Sequence, residues 1–462
     1  MTAAADLYPP SVADVPRGLT RPGIRYLLAT LLVLTSVLLF LLFYLALIAG
    51  AGYLVYLAWT FPLPQVTGLR GMLGLLLLKG GAVAIAVMLF FFLVKGLFKR
   101  GELEEPYFVE VTPSEHPELF TFIRRLCQDR KAPYPHRVYL TPEVNAEMLY
   151  RRSFWSLFRT AKKDLVLGIG LVNVLTISEL KAVIAHELGH FSQRDLPLSG
   201  YVYRANAVIY DLVWGEDFFD EWLASWREMD LRPAIFGHLL AGIVWILKRI
   251  LFAAFWVINL LHAGHSRETE FHADLVAVSV CGSETHANAL FRVRFAGRSF
   301  AQTLHELSQL TSRGLLTRDA YHHQAEAAEY LRRVSNDPRL GIPPPITNDP
   351  QRAPRLFQPG DGELPSHWAS HPPPYDREQH AKRKFVPSVA DDRPAWLLFR
   401  NPQEVRELLT VRLYADYLHL PMQAQLSDPQ RVQEAIAELR VRRRSIRATT
   451  ASTTAACWSW AT

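Results

Sequence analysis

Two histidines, His186 and His190, are separated by four positions in the segment HELGH. On an α-helix with about 3.6 residues per turn, this spacing places both imidazoles on one face, where they can chelate one metal ion. Zinc sites of hydrolases use three nitrogen or carboxylate ligands and leave a fourth position for water. Glu187 follows the first histidine and can take a proton from that water. The alternative is a chance motif on an amphipathic helix, so the surrounding sequence must decide.

A third ligand is expected among the polar residues of the downstream segment SRETEFHAD. Residue types alone favour Glu270 only weakly, because Glu268 and His272 are equally polar and a solvated helical face accounts for all three. Glu270 and Asp274 are four positions apart. They therefore share a helical face, as a ligand and a supporting carboxylate require.

HELGH followed by SRETEFHAD resembles the HtpX and CAAX prenyl endopeptidase family of integral-membrane zinc peptidases. The resemblance implies one zinc ion per chain, with His186, His190 and Glu270 as its ligands. It further implies that Asp274 orients a metal-bound imidazole. Hydrolysis of peptide bonds by zinc-activated water, with Glu187 as general base, is the activity that this resemblance predicts.

Two shorter matches extend the resemblance beyond the metal motifs. Asn145-Ala146 resembles the family motif that precedes its substrate-binding strand, and His371-Pro372 with Arg377 resembles a downstream pair. The resemblance implies that Asn145 holds the substrate main chain and that His371 or Arg377 stabilises the oxyanion. Without the resemblance, Asn in a turn and His beside Pro are ordinary loop residues.

The helix that carries HELGH has its own start signal in the sequence. Thr176 and Glu179 match a capping box, and Leu180, Ile184 and Leu188 follow on one apolar stripe. Before this helix, short strands are expected at 109–113 and 137–140, and a helix at 117–129. A further strand is expected at 164–174, at the edge of the sheet, where it could pair with an extended substrate.

Two apolar runs, 26–59 and 72–94, are long enough to cross a bilayer, which needs roughly 20 residues per helix. A third apolar region, 234–261, is also long enough to cross, but Lys248 and Arg249 in its middle argue against a membrane span. This region crosses the membrane, lies on its surface or packs under the fold. The family commonly has clear membrane helices here, and the two charges are a departure from it. Basic residues flank the outer ends of the first two runs, which predicts that both ends face the cytoplasm of a cell (inner) membrane protein.

Composition excludes some other classes of protein. The three cysteines, Cys127, Cys281 and Cys457, form no metal-spaced pair and no disulfide framework, which suits a reducing compartment. The net charge of +6 fits an anionic membrane face, and nothing else indicates nucleic-acid binding.

The sequence therefore predicts a mainly α-helical zincin-like domain with a small β-sheet, preceded by two transmembrane helices. Its expected partners are a peptide or membrane-protein substrate and the lipid bilayer. A non-catalytic membrane scaffold that retains a metal site is the main alternative, but Glu187 has no role in a purely structural site. A channel or transporter is disfavoured by the large soluble portion.

Five regions are expected along the chain. They are a cytoplasmic N-terminal segment (1–24), a membrane domain (25–98), a metallopeptidase domain (99–400) with a hydrophobic insertion at 233–263, a C-terminal helical extension (401–440), and a disordered basic and Ser/Thr/Ala-rich tail (441–462).

Overall fold

The computed structural model describes residues 6–98, 108–150, 163–192, 198–214, 231–360, 372–417 and 425–442. These residues are mainly helical, with one small mixed sheet, as the sequence predicts. The strands are β1 (Val109–Val111), β2 (Val138–Thr141), β3 (Ala146–Tyr150) and β4 (Lys163–Gly168). The helices are α1 (Ile24–Thr60), α2 (Leu69–Phe98), α3 (Pro117–Arg130), α4 (Ile169–Val172), α5 (Ile177–Ser192), α6 (Leu198–Trp214), α7 (Leu231–Cys281), α8 (Ser283–Thr311), α9 (Ala320–Val334), α10 (Pro374–Lys382) and α11 (Pro402–Tyr417). A 3₁₀ turn covers Ala395–Leu398, and residues 429–442 are also helical.

Among the described residues, three helices, not two, are long and apolar enough to cross a membrane. They are α1, the Leu69–Lys95 part of α2, and the Ile235–Cys281 part of α7. The prediction of two such helices is therefore wrong in number, although α1 and α2 contain both predicted runs. The charges of the third region did not prevent its helix, and the Arg249 guanidinium lies 5.2 Å from the centre of the Trp245 ring.

The helix α7 connects the cluster of apolar helices with the core of the sheet domain. Its 51 residues run without a break from the apolar region through Glu270 and Asp274, a length of about 77 Å at 1.5 Å per residue. The N-terminal half packs with α1, α2 and α6 in one apolar cluster that includes Val33, Phe92, Ile209 and Leu251. Near its C-terminal end, Ala277 and Val280 belong to the core of the sheet domain.

The sheet has the strand order β1-β2-β4-β3, with β2 and β4 parallel and the other pairs antiparallel. The strand predicted at 164–174 ends at Gly168 and lies inside the sheet, so its prediction as an edge strand was wrong. The chain turns there because the Gly168 N–H donates to the Asn145 carbonyl at 2.7 Å and the Gly170 N–H donates to the Glu143 carbonyl at 3.0 Å. Among the described strands, β3 lies at the edge beside β4.

The HELGH helix α5 begins as predicted. The Thr176 N–H donates to Glu179 Oε2 at 2.9 Å, and the Glu179 N–H donates to Thr176 Oγ1 at 3.3 Å, which confirms the capping box. Leu180, Ile184 and Leu188 are buried in the main core. One face of α5 is therefore held by apolar packing, which leaves the histidine face to be met by α7.

The first and the last described segments of the chain lie against this core. The N-terminal segment, residues 6–22, contacts α3 and α5, and the Lys181 ammonium donates to the Pro9 carbonyl at 2.8 Å. Towards the other end, Leu409 of α11 and Ile436 of the last described helix are buried in the same core as α5. Cys127 and Cys281 are buried and unpaired, while Cys457 and the predicted tail from 443 onward lie outside the described residues. The five-region division stays a prediction.

Candidate metal centre

Helices α5 and α7 bring three potential metal ligands together. The Nε2 atoms of His186 and His190 are 3.2 Å apart, and each lies 3.4 Å from a carboxylate oxygen of Glu270. All three ligand atoms lie within 4.8 Å of one another, and among the described residues this is the group whose geometry could hold a metal ion. Two imidazoles and one carboxylate are one of the donor sets that catalytic zinc sites with an open fourth position use.

Gly189 allows the two helices to approach this closely. A Cβ at this position would lie 2.8 Å from Ala273 Cα and 3.1 Å from Val276 Cβ, both on α7. Since contacts this short do not occur between packed carbon atoms, any side chain here would push α7 away from α5. The glycine inside HELGH therefore sets the distance between the two histidines and Glu270.

The buried carboxylate of Asp274 contacts His186 on the side of the ring that faces away from Glu270. Its Oδ1 lies 3.0 Å from His186 Nδ1, the ring nitrogen opposite the one that faces Glu270. The Arg377 guanidinium of α10 donates to both oxygens, through Nη2 at 2.5 Å and Nε at 3.0 Å. Arg377 Nη1 is also 3.6 Å from Glu270 Oε2. The guanidinium thus joins the two carboxylates of α7.

The same carboxylates control the protonation of the first histidine. Burial lowers the pKa of His186, but hydrogen bonding to Asp274 and Glu270 outweighs burial and raises the pKa to about 10. Without a metal, the His186 ring is therefore protonated and positively charged, and it lies between the carboxylates of Asp274 and Glu270. This surrounding favours a positive charge, whether on the ring or on a bound metal ion.

Comparison with protein families decides where this arrangement belongs. The model of Peptidase family M48 matches residues 113–384, which is more than half of the chain and includes both metal motifs. The chain belongs to peptidase family M48.

Several curated proteins that the chain resembles are named as HtpX homologues. The chain is 27% identical over 184 residues to "Protease HtpX homolog 2" of Methanosarcina mazei and 30% identical over 192 residues to "Protease HtpX homolog" of Moorella thermoacetica, covering 40% of this chain and 57% of each relative. A third, from Thermodesulfovibrio yellowstonii, is 34% identical over 91 residues, covering 20% of this chain and 30% of that protein. The matched region thus spans little more than half the length of the first two relatives. No solved structure matches the chain.

In this M48 site, Glu187 occupies the position next to the first histidine on α5. Its side chain is half-buried, and burial raises its pKa, while His186 and His190 act in the opposite direction. A carboxyl group with a raised pKa is suited to accept a proton and release it again near neutral pH.

The rival ligands lie elsewhere. His272 Nε2 is 2.9 Å from the Thr20 carbonyl oxygen, and the ring packs against Tyr26 at 5.6 Å, so this imidazole points to the N-terminal segment. Glu268 is half-buried on the same helix but is not part of the metal-ligand group found among the described residues.

The three residues predicted to bind substrate or to stabilise the oxyanion differ in where the structure places them. Asn145 is exposed immediately before the edge strand β3, and its carbonyl accepts from Gly168. Arg377 reaches the site, where Asp274 accepts its hydrogen bonds. His371 lies outside the described residues.

One buried residue at this site was not found from the sequence. His286, in the first turn of α8, places Nε2 3.1 Å from Asp274 Oδ1. It follows Asp274 by twelve positions and across a helix break, so no spacing rule connects it with either metal motif.

Proposed function

We propose that the chain is a membrane-anchored, zinc-dependent endopeptidase in which His186, His190 and Glu270 hold the metal and Glu187 is the general base. The observation that carries the proposal is the convergence of the three ligand atoms within 4.8 Å on α5 and α7. Zinc is favoured because it prefers nitrogen and carboxylate ligands and tolerates an open fourth position. Membership of family M48 supports hydrolysis of peptide bonds.

The chemistry divides between the metal and the protein. A bound zinc ion would supply Lewis acidity toward water and toward the scissile carbonyl. Glu187 takes the proton of the attacking water and then gives it to the leaving amine. Asp274 and Arg377 keep His186 and Glu270 in place during this exchange. Stabilisation of the oxyanion by His371 or Arg377 remains a proposal that the family resemblance carries.

Substrate binding is assigned to the edge of the sheet. An extended peptide can pair with the edge strand β3, and Asn145 immediately before it can hold the peptide main chain. Main-chain pairing tolerates many side chains, so a membrane-protein fragment in quality control and a processed peptide would bind in the same way.

A cytoplasmic location of the peptidase domain is supported by the basic residues that flank the first two apolar helices. The N-terminal segment packs on the peptidase core, so the two lie on one side of the bilayer.

The test uses full-length protein in detergent, with casein as substrate and metal analysis of the purified protein. We expect wild type to contain one zinc per chain, and Glu187→Gln to retain it while losing activity by about 10²- to 10⁴-fold. Full zinc content with wild-type activity in Glu187→Gln would refute the mechanism.

The third ligand is tested by a matched pair of variants on α7. Glu270→Gln is expected to lose zinc, whereas Glu268→Gln, two positions away on the same helix, is expected to keep it. Zinc retention by Glu270→Gln would show that another residue completes the site.

A further inference from the structure

Nitrogen atoms from three different helices lie within hydrogen-bond distance of the Asp274 carboxylate. Asp274 is fully buried, and its carboxylate is approached by His186 of α5, Arg377 of α10 and His286 of α8. A buried carboxylate keeps its charge and orientation only if nearby donors satisfy it. Each donor therefore limits where Asp274 can place its oxygen against His186.

His286 approaches Asp274 at the same oxygen as the proposed metal ligand His186. Its Nε2 is 3.1 Å from Oδ1, the same oxygen that receives His186 Nδ1 at 3.0 Å. The rings of His286 and His186 are nearly parallel, at 18° and 6.3 Å between centres. The carboxylate oxygen is thus held between two imidazoles.

The protonation of His286 follows from its surroundings. The ring is 2% exposed, and neither ring nitrogen makes a hydrogen bond of standard geometry to a described residue, but Nε2 lies 3.1 Å from the Asp274 carboxylate and Nδ1 has no such acceptor nearby. A buried N–H without an acceptor costs more than a bare ring nitrogen, so the proton belongs on Nε2, where the Asp274 carboxylate can accept it.

The position of His286 is set by contacts that do not involve the metal ligands. Gly282, just before α8, has φ of +88°, and a Cβ there would collide with Ser388. The Ser388 hydroxyl accepts from the Glu284 and Thr285 N–H groups, each at 3.1 Å. The Glu284 carboxylate in turn accepts from the Asn348 N–H at 2.7 Å. The first turn of α8 is therefore a fixed support for the imidazole.

We propose that His286 is a positioning residue that holds Asp274 and, through it, aims the Nε2 atom of His186 at the metal. The proposal rests on the proposed zinc site. Arg377 donates to both oxygens of the carboxylate and His286 Nε2 lies 3.1 Å from Oδ1, so that together they hold Oδ1 against His186 Nδ1. Partners of this kind typically change metal affinity by about 10- to 100-fold when they are removed.

The test measures zinc affinity by chelator competition, together with the visible spectrum of the cobalt-substituted protein, in full-length protein in detergent. His286→Gln keeps an N–H near the position of Nε2, whereas His286→Asn carries its N–H near the position of Nδ1. We expect His286→Asn and His286→Leu to weaken zinc binding by about 10- to 100-fold and to change the cobalt spectrum, and His286→Gln to stay within about threefold of wild type. In peptide cleavage at saturating zinc, the weakened variants should lose kcat with little change in KM.

His323 provides the matched control for general loss of core packing. It is also fully buried, but its ring nitrogens lie 2.8 Å from Gln433 Oε1 and Thr317 Oγ1, away from the metal centre. His323→Leu should lower the thermal stability while leaving zinc affinity unchanged. Equal zinc affinity in wild type, His286→Asn and His286→Leu would overturn the proposal, as would equal losses in His286→Gln and His286→Asn.

The outcome separates this inference from the proposed function. If wild type bound no zinc, both would fail together. If wild type bound zinc and depended on Glu187, while the His286 variants bound it equally well, only the role of His286 would be refuted.

Discussion

The geometry of the candidate metal centre depends on a residue with no side chain as much as on the three potential ligands. Gly189 sits between two functional positions of HELGH and faces the backbone of α7 at Ala273. The three ligand atoms can meet only if α5 and α7 lie this close. A glycine in a helix interior costs roughly 1 kcal/mol relative to alanine, so its presence here indicates that the close approach matters more than helix stability.

Gly189→Ala should therefore lower both stability and metal binding. The added Cβ would force α7 outward by several tenths of an ångström, at a cost of about 1 to 3 kcal/mol for overpacking, and would separate Glu270 from the histidines. Thermal unfolding and zinc content of the purified variant measure the two effects. Gly297→Ala in α8 is the control, since a Cβ there meets no atom within 4 Å and should leave stability unchanged or raise it by up to about 1 kcal/mol. Identical behaviour of the two variants would contradict the prediction.

At the scale of elements, the N-terminal segment, residues 6–22, packs across α5. The Lys181 side chain is 1% exposed, and its ammonium donates to the Pro9 carbonyl and to Ser11 Oγ at 2.8 and 3.0 Å. The Tyr8 ring covers the same ammonium at 4.2 Å, and Asp6 pairs with Arg125 of α3. The helix that carries the histidines is thus tied to the chain just before the first apolar helix.

The buried lysine predicts a pH dependence of stability. Burial lowers the pKa of Lys181 to about 8, below the ordinary value near 10.4. Between these two values the unfolded chain binds more protons than the folded chain, so the contribution of Lys181 to the free energy of unfolding rises with pH. Relative to Lys181→Met, wild type should gain about 2 to 3 kcal/mol between pH 8 and pH 10.5.

Urea unfolding of both proteins in detergent across this pH range measures the difference. Other groups that titrate there are common to both proteins and cancel in the comparison. Parallel pH profiles of wild type and Lys181→Met would contradict the prediction.

At the scale of the whole molecule, one core restricts the membrane topology. Residues before α6, such as Leu188, and residues after α7, such as Phe300, belong to the same core. The chain between them must return to the side from which it left, so α7 can cross the bilayer only if α6 crosses with it. Asn206 and Asn259 exchange amide hydrogen bonds between these two helices at 2.9 and 3.1 Å, which fixes them as a pair. Ile235, Trp245 and Ile246 on α7 are each more than half exposed, as expected of a lipid-facing surface.

We therefore expect α6 and α7 to cross together, with the C-terminal end of α6 on the side opposite the peptidase domain. A cysteine introduced by Trp214→Cys, at the exposed C-terminal end of α6, should react with a membrane-impermeant maleimide added outside intact cells. Arg313→Cys, at an exposed site of the peptidase domain, should react only after permeabilisation. Reaction of both cysteines only after permeabilisation would show that neither helix crosses.

Sequence reasoning was most successful where the structure depends on neighbours along the chain. The start of α5, its buried stripe and the pairing of His186 with His190 on one face follow from capping and from helical periodicity, which are local. It was wrong about β4, because the Val, Leu and Ile run continues past Gly168 into α4, and only the contacts with Glu143 and Asn145 end the strand there. It also left the helix around Lys248 and Arg249 open, since the cost of charges in an apolar run depends on what surrounds them.

The sequence by itself determined the two histidines, the adjacent glutamate and the helix that carries them, because one turn of helix is enough to bring these residues together. Only the tertiary structure decided that Glu270, rather than Glu268 or His272, meets the histidines, because that depends on which face of α7 packs against Gly189. The tertiary structure alone also placed His286 and Arg377 around Asp274. These residues are far apart in sequence, and no local spacing rule applies to contacts made by separate helices.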